Sequence, residues 1–146
     1  MFDVAIINYE MGNLRSIQSA CNFVGLSTII TNNPKDIKNA KSMFLPGVGS
    51  FSQAMNNIKK YKLKESIINF KNSGKPVIGI CLGMQLFFEE SNEIKRTKGL
   101  GLIKGKVSNL LKRNKQNNSG INIGWSKITV KKQKYSSISK NLNNKK

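Results

Sequence analysis

One cysteine of this chain lies in a sequence pattern that suits a nucleophile. Cys81 is the centre of the run Gly-Ile-Cys-Leu-Gly at residues 79–83, between an apolar stretch and a helical pattern. A nucleophile on a tight strand-to-helix turn needs small neighbours two residues away on each side, because chain segments approach closely there. The helix N-terminus favours the thiolate, and the N–H of Leu82 can face an oxyanion. The pattern therefore predicts a nucleophile, with a buried structural cysteine as the alternative.

A glycine-rich loop offers a second set of backbone donors. The run Pro-Gly-Val-Gly-Ser at residues 46–50 follows an apolar segment, and Gly47 and Gly49 allow N–H groups to point into a site. In an open parallel sheet, sites lie beyond the carboxyl ends of the strands, where both this loop and Cys81 are expected. An ordinary glycine turn is the alternative. The other cysteine, Cys21, lies on the apolar stripe of a predicted helix and is expected in the core.

Composition excludes several classes of function. The chain has 146 residues, a formal net charge of +18 and no histidine, so it cannot form a Ser-His or Cys-His pair by itself. Two cysteines are too few for a metal cluster or a disulfide scaffold, so cytosolic thiols are expected. No apolar run approaches the ~20 residues that span a bilayer, and no signal peptide is evident. These features predict a cytoplasmic protein that binds no membrane and no metal.

The excess of positive charge lies almost entirely after residue 57. A basic surface is compatible with nucleic-acid binding, but proteins that bind nucleic acids tend to place arginines and aromatics among their charges. The basic stretches here are mostly lysine with few aromatics. Nucleic-acid binding is therefore the weakest of the functional hypotheses.

The pattern of elements predicts an α/β fold with a mainly parallel sheet and helices on both faces. The first predicted helix begins near Leu14, is capped by Asn13 and ends at Gly25. A short helix is predicted around Ile37, and another follows Ser50. Two more helices are predicted at residues 63–72 and 82–90. The predicted strands are residues 4–8, 27–31, 43–45 and 77–80, and the first and fourth of them are expected to be buried. Beyond residue 98 the segments are β-like, with a polar loop at 112–119, a strand pair at 120–130 and a poorly ordered polar tail at 131–146.

These motifs resemble class I (triad) glutamine amidotransferases, and among them the glutaminase subunits of imidazole glycerol phosphate synthase. The resemblance covers nearly the whole chain, and its matching segments keep the order and spacing of the family. The matching segments are residues 8–16, 45–51, 74–76, 79–86, 99–103 and 123–125. The resemblance implies a flavodoxin-like fold whose domain, residues 1–130, is incomplete at its C-terminus.

The resemblance also implies a reaction. Cys81 attacks the side-chain amide of glutamine, the N–H groups at Leu82 and around Val48 hold the oxyanion, and Gly49 and Gln85 help to bind glutamine. The ammonia passes to a cyclase subunit with a β/α-barrel fold in histidine biosynthesis. No metal or organic cofactor is implied for this step.

Several residues depart from the family pattern. Asn8 and Glu10 stand where the family usually has Asp and Gly, and Ile121-Asn122 replaces a Pro-His pair. The His-Pro-Glu motif that completes the family's triad is absent from the sequence, so the 146-residue chain alone is expected to release little ammonia. Three alternatives therefore stay open: a catalytically impaired fragment, a non-catalytic subunit that docks on a partner, and a relative that serves amination of surface sugars.

Overall fold

The computed structural model describes residues 1–109 and Trp125. The predicted loop at 112–119, the tail at 131–146 and, apart from Trp125, the strand pair at 120–130 lie outside the described residues, as does the rest of the proposed domain after residue 109. None of the helices described is long and apolar enough to cross a membrane.

A four-stranded parallel sheet forms the centre of the described part of the chain. Its strands are β1 (Val4–Ile7), β2 (Thr28–Thr31), β3 (Ser42–Leu45) and β4 (Val77–Gly79), in the spatial order β2-β1-β3-β4. Ala5 pairs with Ile29 on one side and Met43 on the other. Since all four strands run in the same direction, their carboxyl ends meet at one edge, as the sequence predicts.

Among the residues described, five helices connect or follow these strands, in the order in which the sequence predicts them. They are α1 (Leu14–Phe23), α2 (Pro34–Asn39), α3 (Phe51–Lys60), α4 (Lys64–Asn72) and α5 (Leu82–Gln85). The Asn13 side chain accepts a hydrogen bond from the backbone N–H of Ser16, so the predicted cap of α1 is confirmed. Gly25, with φ +80°, follows α1 in the left-handed conformation expected after a helix end.

The two faces of the sheet bury different residues. Ala5 and Ile7 pack into the larger core, together with residues of α2, α3 and α4. Val4 and Ile6 point to the opposite face and pack with Cys21 of α1. This alternation follows from the two-residue period of a strand. It confirms that helices cover both faces and that Cys21 belongs to the core.

The predicted helix at residues 82–90 is wrong beyond its first turn. After α5 the chain forms β5 (Phe88–Ser91), which pairs with β6 (Thr97–Lys98) and β7 (Ile103–Val107) in a second sheet of three strands. Two adjacent glutamates in β5 favour a helix locally, but hydrogen bonds to strands on both sides outweigh that propensity. Gly105 N–H also donates to the Glu89 carboxylate at 2.9 Å.

The prediction of a buried fourth strand is wrong as well. Within the described part of the chain, β4 pairs only with β3 and forms an edge of the main sheet. The side chains of Ile78 and Ile80 are 38% and 39% exposed. An apolar run indicates a strand, but its sequence does not show how many neighbours cover that strand.

Candidate active site

Cys81 occupies a sharp turn between β4 and α5. Its backbone has φ +54° and ψ −116°, and the residue is exposed. A non-glycine residue in this region costs about 1–3 kcal/mol and persists only where the surrounding structure enforces it. Two hydrogen bonds hold the turn, from Gly83 N to the Ile80 carbonyl and from Met84 N to the Cys81 carbonyl, both at 3.0 Å. The turn has the geometry of a nucleophile elbow, and it presents the thiol at the carboxyl edge of the sheet.

The glycines on either side of the elbow are required by packing. A Cβ atom at Gly83 would lie 1.8 Å from the Leu45 carbonyl oxygen, and one at Gly79 would lie 2.6 Å from the Cα of Met84. Both distances are far below any real carbon contact, and in each case the obstacle is backbone. The two glycines therefore let α5 pack directly against the ends of β3 and β4, which fixes where the thiol points.

The predicted glycine-rich loop lies against this elbow. A Cβ atom at Gly47 would lie 2.8 Å from the Gly83 nitrogen and 2.9 Å from the Leu82 Cβ. Gly49 has φ +103°, and the exposed side chain of Val48 leaves the backbone between the two glycines close to solvent. Ser50 ends the loop by capping α3, accepting a hydrogen bond from Gln53 N at 3.4 Å. The structure thus brings the loop at residues 46–50 and the cysteine turn together, as the sequence predicts.

Leu82 and Gln85 lie at the two ends of α5. Leu82 is buried and is the first residue of the helix, so its N–H has no acceptor within α5. Gln85 is half-buried and its N–H donates to the Cys81 carbonyl at 3.2 Å. Leu82 follows Cys81 directly, and Gln85 lies one helical turn after the cysteine. Their roles, and those of Gly47, Val48 and Gly49, stay predictions.

The loop after β1 packs against the same glycine-rich loop through a buried residue, Tyr9, that the sequence analysis did not single out. Tyr9 is fully buried and its hydroxyl donates a hydrogen bond to the Pro46 carbonyl. Gly12 lies against the same loop, since a Cβ atom there would meet the Gly47 nitrogen at 3.1 Å. Tyr9 belongs to the matching segment at residues 8–16, which indicates that this loop is part of the family pattern but does not show which residue the hydroxyl contacts.

The backbone conformation at Glu10 explains why the family usually has glycine at this position. Its φ is +63°, a left-handed conformation that glycine adopts without strain. Its carboxylate accepts a hydrogen bond from Lys60 Nζ at 3.2 Å, and hydrogen bonds from Tyr61 and Lys60 lower the pKa of Glu10. The usual glycine thus fits the backbone at this position, and in this chain a salt bridge between exposed side chains accompanies the strained residue.

The arrangement can perform nucleophilic attack on a carbonyl but offers no histidine base. The sequence has no histidine, and none of the described residues form a cluster of three or more metal-ligating side chains. An exposed thiol with backbone donors beside it suits addition to an amide or ester carbon.

Comparison with known proteins agrees with this chemistry. Residues 1–136 match the model of a family described as the CobB/CobQ-like glutamine amidotransferase domain. A solved structure described as a crystal structure of glutamine amidotransferase has a TM-score of 0.62 and 17% identity, over 73% of this chain and 56% of that chain. That similarity concerns the fold alone and confirms the predicted α/β class.

Curated relatives are similar over most of the chain. Imidazole glycerol phosphate synthase subunit HisH from Lactococcus lactis is 42% identical over 90% of this chain and 63% of its own length. The protein of the same name from Caldanaerobacter subterraneus is 45% identical over 88% of this chain and 62% of its own length. This chain therefore spans a little over three fifths of the length of these relatives.

Proposed function

Because the chain belongs to the glutamine amidotransferase family, we propose that it is the glutaminase component of an enzyme that transfers ammonia to a second substrate. One observation carries this proposal. The exposed Cys81 is held at a positive φ on a strand-to-helix turn, and Leu82 and Gly83 after it lie against Gly47 of the glycine-rich loop. A cysteine buried for structural reasons needs neither the strain nor the loop.

The proposed reaction begins with attack by the Cys81 sulfur on the side-chain amide carbon of glutamine. The N–H groups of Leu82 and Val48 stabilise the oxyanion that forms, and Gly49 and Gln85 help to bind the substrate. The carbon–nitrogen bond then breaks, and ammonia leaves with the proton of the thiol and its own two hydrogens. Water hydrolyses the γ-glutamyl thioester to glutamate and restores the thiol.

Proton transfer limits the rate at which the 146-residue polypeptide alone can release ammonia. The sequence contains no histidine, and a missing general base costs about 10²–10⁴-fold in rate. We therefore expect slow thioester formation and little release of ammonia, because the elbow and the loop are local features that persist without the base. Full activity requires a base from outside these residues.

The relatives suggest the destination of the ammonia. Two of them are named subunits of imidazole glycerol phosphate synthase. By similarity, we propose that this chain assembles with a cyclase subunit of β/α-barrel fold and supplies ammonia for histidine biosynthesis.

The experiment that tests the proposed chemistry compares two electrophiles of similar reactivity. A chloroketone analogue of glutamine and chloroacetone both alkylate thiols, but only the first carries the amino-acid group. We expect Cys81 to react at least ~10-fold faster with the glutamine analogue, and glutamine to protect it, because a bound reagent is held beside the thiol.

The matched controls are Cys81→Ser, which should abolish labelling, and Cys21→Ser, which should leave it unchanged. Equal rates with the two reagents would refute a glutamine site. That outcome would favour a non-catalytic subunit that docks on a partner.

A further inference from the structure

Tyr9 is a buried titratable residue that the proposed reaction does not use. It follows β1 directly, its side chain is fully buried, and its hydroxyl donates to the Pro46 carbonyl, 37 residues away. A Cβ atom at Gly47 would lie 2.6 Å from the hydroxyl oxygen, so the tyrosine also lies against the next residue of the loop. This one side chain therefore contacts the start of the loop that is proposed to stabilise the oxyanion.

The backbone of Tyr9 is itself held by helix α3. The side-chain amide of Asn57 donates to the Tyr9 carbonyl at 2.9 Å, and the Asn57 oxygen accepts from Gln53 Nε2 at 2.9 Å. Asn57 is buried, so its hydrogen bond to Tyr9 is shielded from water, whereas Gln53 is exposed. Because α3 begins where the loop ends, the network fixes the loop at its first residue through Tyr9 and at its last through the helix.

The tyrosine remains a hydrogen-bond donor over the ordinary range of pH. Burial raises the pKa of the Tyr9 phenol, and the nearby charge of a Cys81 thiolate raises it further. A protonated phenol cannot act as a base toward the thiol. Its available role is to donate to the carbonyl that it contacts.

We propose that Tyr9 is a positioning residue that orients the oxyanion loop for attack by Cys81. The argument rests on the planarity of the peptide bond: holding the Pro46 carbonyl fixes the plane of the Pro46–Gly47 peptide. That peptide carries the N–H of Gly47. The N–H of Val48 lies one peptide further on, so its direction depends on this plane together with the φ and ψ of Gly47. Two glycines give this loop conformational freedom, which the hydrogen bond from the tyrosine restricts. A misplacement of about 1 Å in a reacting group can lower the rate ~10²-fold. This inference rests on the proposed function.

The test compares Tyr9→Phe with Tyr61→Phe. Both changes remove one hydroxyl, but the Tyr61 hydroxyl contacts Glu10 and not the loop. For each variant we would measure labelling of Cys81 by the chloroketone analogue of glutamine, whose carbonyl oxygen takes the place of the amide oxygen. In that reaction the sulfur–carbon bond forms, chloride leaves and the thiol proton passes to solvent. Iodoacetamide measures the exposure of the thiol in the same samples.

We expect Tyr9→Phe to lower the maximal labelling rate by the chloroketone at least ~10-fold, with little change in its half-saturating concentration. Its rate with iodoacetamide should stay within about twofold of the parent, because the elbow is held by other contacts. Tyr61→Phe should match the parent with both reagents.

Three results for Tyr9→Phe would overturn the proposal. They are an unchanged labelling rate with the chloroketone, an equal fall in rate with both reagents, and a higher half-saturating concentration with an unchanged maximal rate. If the parent chain itself does not prefer the glutamine analogue over chloroacetone, the proposed function fails first. The two failures are therefore distinguishable.

Discussion

Replacing Gly83 with alanine should remove the contact on which the cysteine turn depends. The new Cβ atom would lie 1.8 Å from the Leu45 carbonyl oxygen, whereas ordinary van der Waals contact begins at 3.4 Å. The backbone of β3 or α5 must therefore move by about 1.5 Å in an interior that is close-packed. Leu45 O also accepts the hydrogen bond from Ile80 N at 3.0 Å, so the same shift breaks the last bond between β3 and β4.

The expected cost follows from these two contacts. Overpacking costs about 1–3 kcal/mol, and leaving a buried carbonyl without its partner costs about 1–3 kcal/mol. We therefore expect Gly83→Ala to lower the free energy of unfolding by about 2–6 kcal/mol. That is a large share of the roughly 5–15 kcal/mol that stabilises a domain.

Gly25→Ala is the matched control. Gly25 has φ +80° but nothing within 4 Å of the added Cβ, so only the left-handed conformation is penalised, by about 1–2 kcal/mol. Urea unfolding followed by circular dichroism compares the two variants, and the iodoacetamide rate reports on Cys81. If Gly83→Ala unfolds within about 1 kcal/mol of Gly25→Ala and keeps the parent rate, the described packing of the elbow is wrong.

Three further predictions concern other parts of the chain. Replacing Lys62, which has φ +54°, with glycine should raise the free energy of unfolding by about 0.5–1 kcal/mol, as measured by urea unfolding. Glu10→Gly should raise it by less, because that change also removes the contacts with Lys60 and Tyr61. The hydrogen bond from Lys41 and those from Ser27 hold the pKa of Asp3 well below its usual range. The stability that this carboxylate contributes is therefore present above about pH 4 and is lost as the pH falls below that value. Asp3→Asn should unfold at a lower urea concentration than the parent at pH 7, and the difference between their urea midpoints should narrow towards pH 3. Burial raises the pKa of the Cys21 thiol, so iodoacetamide at pH 8 should modify Cys81 at least ~10-fold faster than Cys21 by peptide mass mapping. Equal rates at the two cysteines, a pH-independent gap for Asp3→Asn, or a loss of stability in Lys62→Gly would each contradict the corresponding structural argument.

The sequence predicts the parts of the site that depend on local pattern. The strands at residues 4–8 and 43–45, the cap at Asn13 and the turn at Cys81 each follow from a few neighbouring residues, and the structure confirms them. The predicted core role of Cys21 is confirmed for the same reason, since helical periodicity shows which face of α1 is buried.

Features that depend on distant partners escape prediction. The sequence of β5 predicts a continuation of α5, because its own residues do not indicate that it pairs with β7. Likewise, nothing near Tyr9 in sequence shows that its hydroxyl reaches Pro46. The edge position of β4 depends on how many strands join the sheet, which an apolar run alone does not reveal.

The most direct test of the central claim uses glutamine itself. Incubation of the 146-residue chain with glutamine, acid quenching and peptide mass mapping would detect a γ-glutamyl thioester. We predict that adduct on the Cys81 peptide, its removal by hydroxylamine, its absence from Cys81→Ser and its presence in Cys21→Ser. An adduct on Cys21, or no adduct on Cys81 after prolonged incubation, would contradict the assignment of Cys81 as the nucleophile.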